Sequence, residues 1–320
     1  MKIIITGGSG FLGSKLTQKL LNNDNKNIIN KIIIMDVIKP FYFSEKIDSR
    51  ISFVKSDLTE LKQIKDILKN NIDTIFHLAS VVSADAEENL DRAMKVNVVG
   101  ILNLLNACRD ITTSPKFIFT SSFAAFGGSS MPDNVNDNTK IVPQNTYGMT
   151  KAINELIVND YTRKGYIDGR GARLPTIIIR PGRANKAASS FASGLFREPL
   201  SGKKHFLPVN RNTKIAVGGY NDAIQGLIQL SEIDRSLMGD DCTINFPNFA
   251  ITVSEMINSL YQVTSGMPLG EIIDRPDESI QSICERWPSN VSYERAAKLG
   301  INKCSNIKNI ITDYIGDYLE

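Results

Sequence analysis

Short β-branched runs alternate with longer amphipathic stretches through the first part of this chain. The runs lie at residues 2–6, 31–36, 51–57, 74–80, 116–122 and 175–182. They are rich in Ile, Val and Phe at consecutive positions, as expected of parallel strands that are buried on both faces. The stretches between them carry apolar residues at intervals of three and four, which predicts helices. This repeated order predicts an α/β fold with a doubly wound parallel sheet.

The alternation breaks down after Gly182. Residues 183–213 show no sustained period, whereas residues 214–235 again have the pattern of a strand followed by a helix. We therefore expect a first domain of residues 1–182, to which residues 214–235 return. A smaller, interleaved C-terminal lobe would consist of residues 183–213 and 236–320.

Composition argues against several classes of protein. The net charge is +3 and both signs are scattered, so no nucleic-acid-binding surface is indicated. The chain has four widely spaced cysteines and two histidines, in no recognised metal-site spacing. We therefore expect no metal, and reduced thiols in a cytoplasmic protein. The apolar run at the start is too short for a signal segment or a membrane span.

A glycine-rich turn, TGGSGFLG at residues 6–13, follows the first predicted strand and opens the first predicted helix. Gly7 permits a tight turn, Gly10 lets a pyrophosphate approach the backbone, and Gly13 lets the helix pack closely on the sheet. The unpaired N–H groups at the start of the helix attract an anion. This context, the start of a βαβ unit, predicts a Rossmann-type dinucleotide-binding domain. The expected contacts to the cofactor are Gly7, Ser9, Gly10, Phe11, Leu12 and Gly13.

Two acidic residues at strand ends are candidates for binding the adenosine half of the cofactor. Asp36 closes the second strand, where a carboxylate accepts the ribose hydroxyls of NAD and repels the 2′-phosphate of NADP. NAD is therefore the expected cofactor, although Asp36 could also be a simple loop cap. Asp57 and Leu58 follow the third strand and could cradle the adenine. A role for Asp57 as a turn residue before the next helix is nearly as well supported.

Tyr147 and Lys151 lie four positions apart in TYGMTK, a spacing that puts both side chains on one face of a helix. Alone, the pair could be ordinary neighbours on a helix surface. Together with the glycine turn, HLAS, VNVVGILNLLNAC and FTSS, however, it resembles the extended short-chain dehydrogenase/reductase family, also called the epimerase/dehydratase family. The resemblance implies an NAD-dependent alcohol oxidoreductase.

The resemblance also implies a catalytic set of Ser122, Tyr147 and Lys151, with Asn97 supporting the lysine. Tyr147 would take the hydroxyl proton while hydride leaves carbon for the nicotinamide. Because a free tyrosine has a pKa of about 10, the Lys151 ammonium together with the positive nicotinamide is expected to lower the pKa of Tyr147. Ser122 would orient the substrate oxygen, and Lys151 would hold the nicotinamide ribose. Asn97 and Tyr147 are also expected to contact the cofactor, although Asn97 could equally be a surface amide.

Other positions follow from the same resemblance. The remaining expected cofactor contacts are Leu78, Ala79 and Ser80 beside the adenosine and Pro181 against the nicotinamide. His77 lies in the middle of a strand and is expected to be a core histidine. Phe126 departs from the pattern, since many sugar-nucleotide epimerases of the family have a tyrosine there.

Candidates for binding the substrate are fewer. An anionic substrate would require an arginine near the nicotinamide, and Arg183 in RPGR is the first candidate because its planar fork suits a carboxylate. A surface arginine is an equal alternative. Ser83 could donate to a hydroxyl or a carboxylate, beside Ser122 and Tyr147. Further polar candidates are Arg173, Arg180, Ser189, Ser190 and Ser193.

Residues 77–100 and 173–203 resemble a sugar-acid branch of the family. This resemblance implies oxidation of the C2 hydroxyl of D-erythronate, a four-carbon sugar acid, to 2-dehydro-D-erythronate with formation of NADH. Three alternatives remain open: a nucleotide-sugar 4-epimerase, a short-chain-type L-threonine dehydrogenase and a non-catalytic NAD-sensing regulator. The regulator is disfavoured, because such proteins typically lose the tyrosine–lysine pair.

The family also implies an assembly. Its members commonly form homodimers through two long helices, here residues 87–109 and 146–164. Apolar residues on these helices, such as Leu102, Leu105, Ile153 and Ile157, could serve a dimer or could equally be core.

Overall fold

The computed structural model describes residues 1–40, 48–69, 71–183 and 187–319. The strands in these ranges are β1 (Lys2–Thr6), β2 (Lys31–Asp36), β3 (Ile51–Lys55), β4 (Thr74–His77), β5 (Lys116–Ser122), β6 (Asp168–Leu174), β7 (Thr176–Ile178), β8 (His205–Leu207), β9 (Lys214–Gly219), β10 (Thr243–Asn245), β11 (Phe249–Thr252) and β12 (Ile272–Asp274).

The helices begin and end close to the amphipathic stretches of the sequence. They are α1 (Phe11–Asn22), α2 (Leu61–Leu68), α3 (Ser83–Glu88), α4 (Leu90–Ala93), α5 (Gly100–Arg109), α6 (Thr146–Arg163), α7 (Ser190–Leu200), α8 (Tyr220–Glu232), α9 (Val253–Val263), α10 (Glu278–Glu285), α11 (Glu294–Lys298) and α12 (Ile307–Tyr318). A π-helical turn, Met94–Val99, joins α4 to α5. A 3-10 turn, Phe123–Ala125, follows β5.

Seven strands form a parallel main sheet in the order β10-β6-β5-β4-β1-β2-β3. Both faces of this sheet are covered, so alternate residues of one strand enter different cores. Ile3 and Ile5 pack with residues of α1 and α8 on one face. Ile4 packs with residues of α2, α5 and α6 on the other face. The predicted doubly wound, Rossmann-type fold is therefore confirmed.

The strand order reverses between β1 and β4. The chain moves outward through β2 and β3 on one side of β1, then continues through β4, β5 and β6 on the other side. Loops at the carboxyl ends of β1 and β4 consequently diverge and leave a crevice, where ligands of open parallel sheets bind.

The far edge of the main sheet differs from the prediction. Residues 175–182 were expected to form a central strand, but they supply β7 to a separate sheet. The edge is built instead by β6 and by β10, which lies in the segment assigned to the C-terminal lobe. Residues 214–235 are divided: β9 pairs with β7 and β11, while α8 packs on the main sheet.

The sequence of β6, DGRGARL, explains why this strand escaped prediction. It has no β-branched run, and its two arginines would be costly to bury without partners. The structure supplies those partners. Arg170 pairs with Asp168 and donates to the main-chain oxygen of Leu230, and Arg173 pairs with Glu155. The pattern of apolar residues contains no trace of these long-range contacts.

A second group of elements surrounds its own core. Its sheets have the orders β11-β9-β7 and β12-β8. Side chains from α7, α9 and α12 pack between them, including Phe196, Ile257 and Ile311. Residues 184–186, in the predicted C-terminal lobe, lie outside the described residues. Across the described ranges, no helix combines the length and apolarity needed to cross a bilayer.

His77 is a core residue, as predicted. It is buried at the end of β4, and its Nδ1 lies 2.8 Å from the hydroxyl oxygen of Thr6. Burial lowers the pKa of His77 to about 3, and the positive charge of Lys151 adds to this effect. The imidazole is therefore neutral in the folded protein throughout the ordinary pH range.

This neutral histidine makes folding stability depend on pH. Below an ordinary histidine pKa of 6.5 the unfolded chain binds a proton that the folded chain rejects, so stability falls as pH drops from 6.5 towards 3. The contribution from His77 is roughly 2 kcal/mol at pH 5. We expect His77→Asn to be less stable at neutral pH but to lose less stability on acidification, as measured by urea unfolding at several pH values. Burial lowers the pKa of His205 to about 4, and this residue affects both proteins equally. Parallel pH profiles for the two proteins would contradict the prediction.

Candidate active site

The glycine turn lies at the point where the strand order reverses. Gly7 has a positive φ of 68°, and its N–H donates to the main-chain oxygen of Met35 at 2.9 Å. A Cβ atom on Gly7 would lie 2.7 Å from the main-chain nitrogen of Ala79, in the segment after β4. The turn after β1 and the segment after β4 thus approach too closely for any side chain at this position.

The same turn brings the first helix against the sheet. A Cβ atom on Gly13 would lie 2.5 Å from the Cα atom of Gly8, so α1 can start here only with glycine at this position. Gly10 is the N-cap residue of α1, and no side chain caps this helix. The first N–H groups of α1 are therefore available to a phosphate.

Asp36 lies beside this turn. Its Oδ2 accepts from the main-chain N–H of Ser9 at 3.1 Å, and its Oδ1 accepts from that of Ile38 at 3.3 Å. The carboxylate thus acts as a loop cap and is also held beside the crevice. Since each carboxylate oxygen has about two acceptor sites and uses one of them here, Asp36 can still accept ribose hydroxyls.

The other predicted cofactor residues are placed less uniformly. Phe11 and Leu12 pack against the core, so only their main chain faces the turn. Asp57 accepts from the N–H of Thr59 at 2.9 Å, which is the turn role left open by the sequence. Leu58 is buried against α5. Leu78, Ala79, Ser80 and Pro181 are partly buried, and the first three follow β4 directly at the crevice.

This part of the chain fits a dinucleotide. The glycines of the turn leave space that side chains would otherwise fill. The uncapped N–H groups at the start of α1 face this space, and the carboxylate of Asp36 lies beside it. Among the described residues no cluster of His, Cys, Asp and Glu could hold a metal ion.

Helix α6 positions Tyr147 through an unusually close approach. Asn145 caps the helix by accepting from the N–H of Gly148 at 2.7 Å. A Cβ atom on Gly148 would lie 2.0 Å from the main-chain oxygen of Ala124. Only glycine lets the first turn of α6 touch the segment that follows Ser122, and this contact places Tyr147 beside Ser122.

Lys151 is buried one turn further along α6. Its ammonium donates to the main-chain oxygen of Thr120 at 2.8 Å and lies 5.3 Å from the centre of the Tyr147 ring. Burial lowers the pKa of Lys151 to about 8, and Glu155 opposes this shift. The predicted tyrosine–lysine pair is thus assembled on one helix face.

The protein's own groups do not lower the pKa of Tyr147, and the expected lowering also involves the positive nicotinamide. Burial raises the pKa of Tyr147 to about 12, and a hydrogen bond with Ser122 opposes the rise. The cost of removing the phenolate from water exceeds the benefit of the nearby polar groups. Tyr147 is therefore a neutral phenol in the protein by itself.

Asn97 is buried, so a surface role is excluded. It lies in the π-helical turn, where its Oδ1 accepts from the N–H of Val81 at 2.7 Å. Its Nδ2 donates to the main-chain oxygen of Val81 and to the hydroxyl of Thr150, both at 3.1 Å. Asn97 therefore ties the segment after β4 to the residue that precedes Lys151, and it supports the lysine through that neighbour.

The inner end of the α6 face carries a buried ion pair that the sequence analysis missed. Arg173 on β6 donates to both carboxylate oxygens of Glu155, the shortest contact being 2.8 Å. Ser121 donates to the same carboxylate. Glu155 follows Lys151 at the same spacing by which Lys151 follows Tyr147, and this was the available signal. With Arg173 committed here, it cannot serve as a substrate ligand.

Ser122 and Tyr147 line a cavity of about 650 Å³, within the usual range for small-molecule sites. Predicted Ser83 lines it as well, as do Phe126 and Ser189. The C-terminal part of the chain contributes Ile283, Arg286, Trp287 and Pro288. These four residues were missed, because their only sequence signal is an arginine next to the single tryptophan of the chain.

Some predicted substrate residues lie elsewhere. Arg183 is exposed and does not line the cavity within the described residues. Ser190 and Arg180 do not line it either, and Ser193 accepts from the main-chain N–H of Arg180 at 3.0 Å.

Comparison with known proteins places these features in a family. The family model described as "NAD dependent epimerase/dehydratase family" matches residues 3–230. A D-erythronate dehydrogenase from Haemophilus influenzae is 39% identical over 98% of this chain and 99% of its own length. A D-erythronate dehydrogenase from Cupriavidus necator is 36% identical over 99% of this chain and 98% of its own length.

A solved structure is similar throughout. The crystal structure named as a nucleoside-diphosphate-sugar epimerase from Agrobacterium tumefaciens has a TM-score of 0.90 and 34% identity. The similarity covers all of this chain and 94% of that one.

The close approach at Gly148 predicts a specific defect. We expect Gly148→Ala to destabilise the protein by about 2 kcal/mol or more, because an added methyl group must push α6 away from the main-chain oxygen of Ala124. Gly316→Ala is the matched control, since Gly316 is also helical and a Cβ atom there meets nothing within 4 Å. The control should be unchanged or up to about 1 kcal/mol more stable. Both values come from denaturant unfolding, and equal stability of the two variants would refute the packing argument.

Proposed function

The chain belongs to the NAD dependent epimerase/dehydratase family and is an NAD-dependent oxidoreductase, and we propose that it oxidises the C2 hydroxyl of D-erythronate to 2-dehydro-D-erythronate. The observation that carries this proposal is the placement of Ser122 and Tyr147 in one cavity with Lys151 directly behind the tyrosine. The names of two relatives of nearly equal length support the choice of substrate.

In the proposed reaction Ser122 and Tyr147 hold the substrate hydroxyl. Ser122 is suited to this because its oxygen is fixed by the N–H of Ala124 at 3.1 Å. Tyr147 accepts the hydroxyl proton as the C2–H bond breaks and the carbonyl forms. NAD⁺, which the first N–H groups of α1 and the Asp36 carboxylate would hold, would supply the hydride acceptor and a positive charge that favours the phenolate.

Lys151 supports the phenolate from the buried side. Its ammonium lies between the Tyr147 ring and the main-chain oxygen of Thr120, which restricts its movement. The pKa of about 8 for Lys151 and of about 12 for Tyr147 means that both groups hold their protons at neutral pH. Proton uptake by Tyr147 consequently requires its prior deprotonation, so oxidation becomes faster as pH rises towards about 8, where Lys151 begins to lose the charge that supports the phenolate.

The lining of the cavity suits a small polyhydroxylated acid. Ser83, Asn145, Thr176 and Ser189 are among the residues that bring hydroxyl and amide groups to the cavity wall. Such groups can pair with several hydroxyls of one substrate, and they leave a purely apolar alcohol without partners for them.

The test mixes the purified protein with NAD⁺ and, separately, D-erythronate, L-threonate, L-threonine and UDP-galactose while NADH absorbance is followed. We expect NADH with D-erythronate, at a rate that rises with pH up to about 8, the pKa of Lys151. Tyr147→Phe should lower kcat by about 10²–10⁴-fold, the usual share of a positioned acid–base group. Tyr161→Phe is the matched control, because Tyr161 lies on the same helix and its hydroxyl donates to Asn106 instead. NADH from L-threonine alone, or epimerised UDP-galactose without NADH, would exclude the proposed substrate.

We also propose a homodimer built on α5 and α6. Leu105 is fully buried and is therefore unavailable to an interface, and Ile157 is partly buried against the same core. The same helices and the π-helical turn instead expose Leu156 by 71% and Val99 by 43%. Exposed apolar side chains on adjoining helices support a partner surface.

A single substitution tests this interface. We expect the parent protein to sediment as a dimer and Leu156→Glu to sediment as a monomer. Leu237→Glu, at a position that is 64% exposed on another surface, should leave the dimer intact. A monomeric parent protein would refute the proposal.

A further inference from the structure

Charged side chains are few in the catalytic cavity. The charged members of its described lining are Glu87, Glu88 and Arg286. Glu87 is engaged, since its Oε2 accepts from the main-chain N–H of Thr146 at 2.9 Å. That N–H belongs to the first residue of α6, where a carboxylate is favoured by the helix dipole. Arg286 is therefore the one cation among the lining residues that the structure describes.

The Arg286 side chain forms no hydrogen bond or ion pair with the described residues. Its main-chain N–H, in contrast, donates to the main-chain oxygen of Ile283 at 3.3 Å. A guanidinium has five donors and never loses its proton, so in a protein cavity it requires an acceptor or water. The geometry that suits it best is the planar pair of oxygens of a carboxylate.

The backbone at Arg286 is held firmly. The residue is the C-cap of α10, whose Cys284 is buried in the second core. Trp287 packs against that core, and Pro288 is buried. The exposed Arg286 side chain is thus attached to an anchored segment and enters a cavity that Ser122 and Tyr147 also line.

The other arginines considered for this role are placed differently. Arg183 is exposed outside the described lining of the cavity. Arg173 is committed to Glu155. Arg180 does not line the cavity within the described residues, and its main-chain oxygen accepts from Arg197.

We propose that Arg286 binds the carboxylate of the substrate and restricts this site to hydroxy acids. The inference rests on the proposed oxidation of a sugar acid and names the residue that selects the acid. Arg286 then fixes one end of the substrate while Ser122 and Tyr147 hold the reacting hydroxyl. Two fixed ends orient a flexible four-carbon chain for reaction.

The test compares D-erythronate with its neutral amide, D-erythronamide, in steady-state oxidation. The parent protein should prefer the acid, and Arg286→Gln should raise KM for the acid by about 10- to 100-fold, as expected for a lost charge-assisted hydrogen bond. The KM for the amide should change by less than about threefold in this variant, because the amide presents no charge to Arg286. Arg286→Lys should restore part of the preference. NADH binding, followed by fluorescence, should be unchanged in every variant, which distinguishes a substrate contact from a structural defect.

Arg183→Gln is the matched control and should leave KM for the acid unchanged. A selective rise in KM in that variant instead of in Arg286→Gln would overturn the proposal and leave the proposed function intact. An equal loss for acid and amide in Arg286→Gln would also overturn it.

The panel of alternative substrates separates the two proposals. If the parent protein oxidises L-threonine and not D-erythronate, the comparison is repeated with L-threonine and its amide. A selective loss for that acid would support the role of Arg286 while the D-erythronate assignment fails. If the parent protein acts on no acid of the panel, both proposals are overturned.

Discussion

The docking of α6 on β5 and β6 is the interaction on which the candidate site depends. Lys151 donates to the main chain of β5, and Glu155 pairs with Arg173 on β6. Each of these charged groups is at most 4% exposed. Buried charges are costly unless they are paired and hydrogen-bonded. A shift of α6 along the sheet would leave these charges buried without partners. These contacts of Lys151 and Glu155 with β5 and β6, here called the seam, therefore fix the position of α6 along the sheet, and with it the position of Tyr147.

The same helix face sets the electrostatics of the site. Tyr147, Lys151 and Glu155 follow one another at intervals of four residues, from the cavity to the deepest part of the seam. Burial disfavours the charged form of both tyrosine and lysine, and the carboxylate below partly restores the lysine charge. Protein surroundings alone keep the phenol neutral. A positive charge on the cavity side then has its largest effect on Tyr147, because Tyr147 is the member of this set that lines the cavity.

Local patterns were sufficient for the elements that carry the cofactor crevice and insufficient for those that complete the cavity. The glycine turn, the first five strands and the tyrosine–lysine spacing depend on backbone geometry and on apolar periodicity, which are visible within short windows. β6 could not be found in this way. Its two arginines are stabilised by ion pairs with Glu155 and Asp168 and by a hydrogen bond to the main-chain oxygen of Leu230 in α8. For the same reason residues 175–182 were placed in the wrong sheet. Arg286 lies far from Tyr147 in sequence, and only the fold brings them to one cavity.

The difference between the cofactor crevice and the substrate cavity has a physical origin and a functional consequence. A dinucleotide is bound largely by main-chain N–H groups, at positions where glycine leaves room for the phosphates. Its site therefore depends on the sequence of one turn and of the helix start that follows it. A small acid is recognised by a few side-chain tips, which any anchored segment at the rim can supply. For the acid that we propose as substrate, that segment is the end of α10, where Cys284 and Trp287 pack in the second core. Substitution there can alter the substrate without disturbing the seam that positions Tyr147, which is how one scaffold accommodates different alcohols.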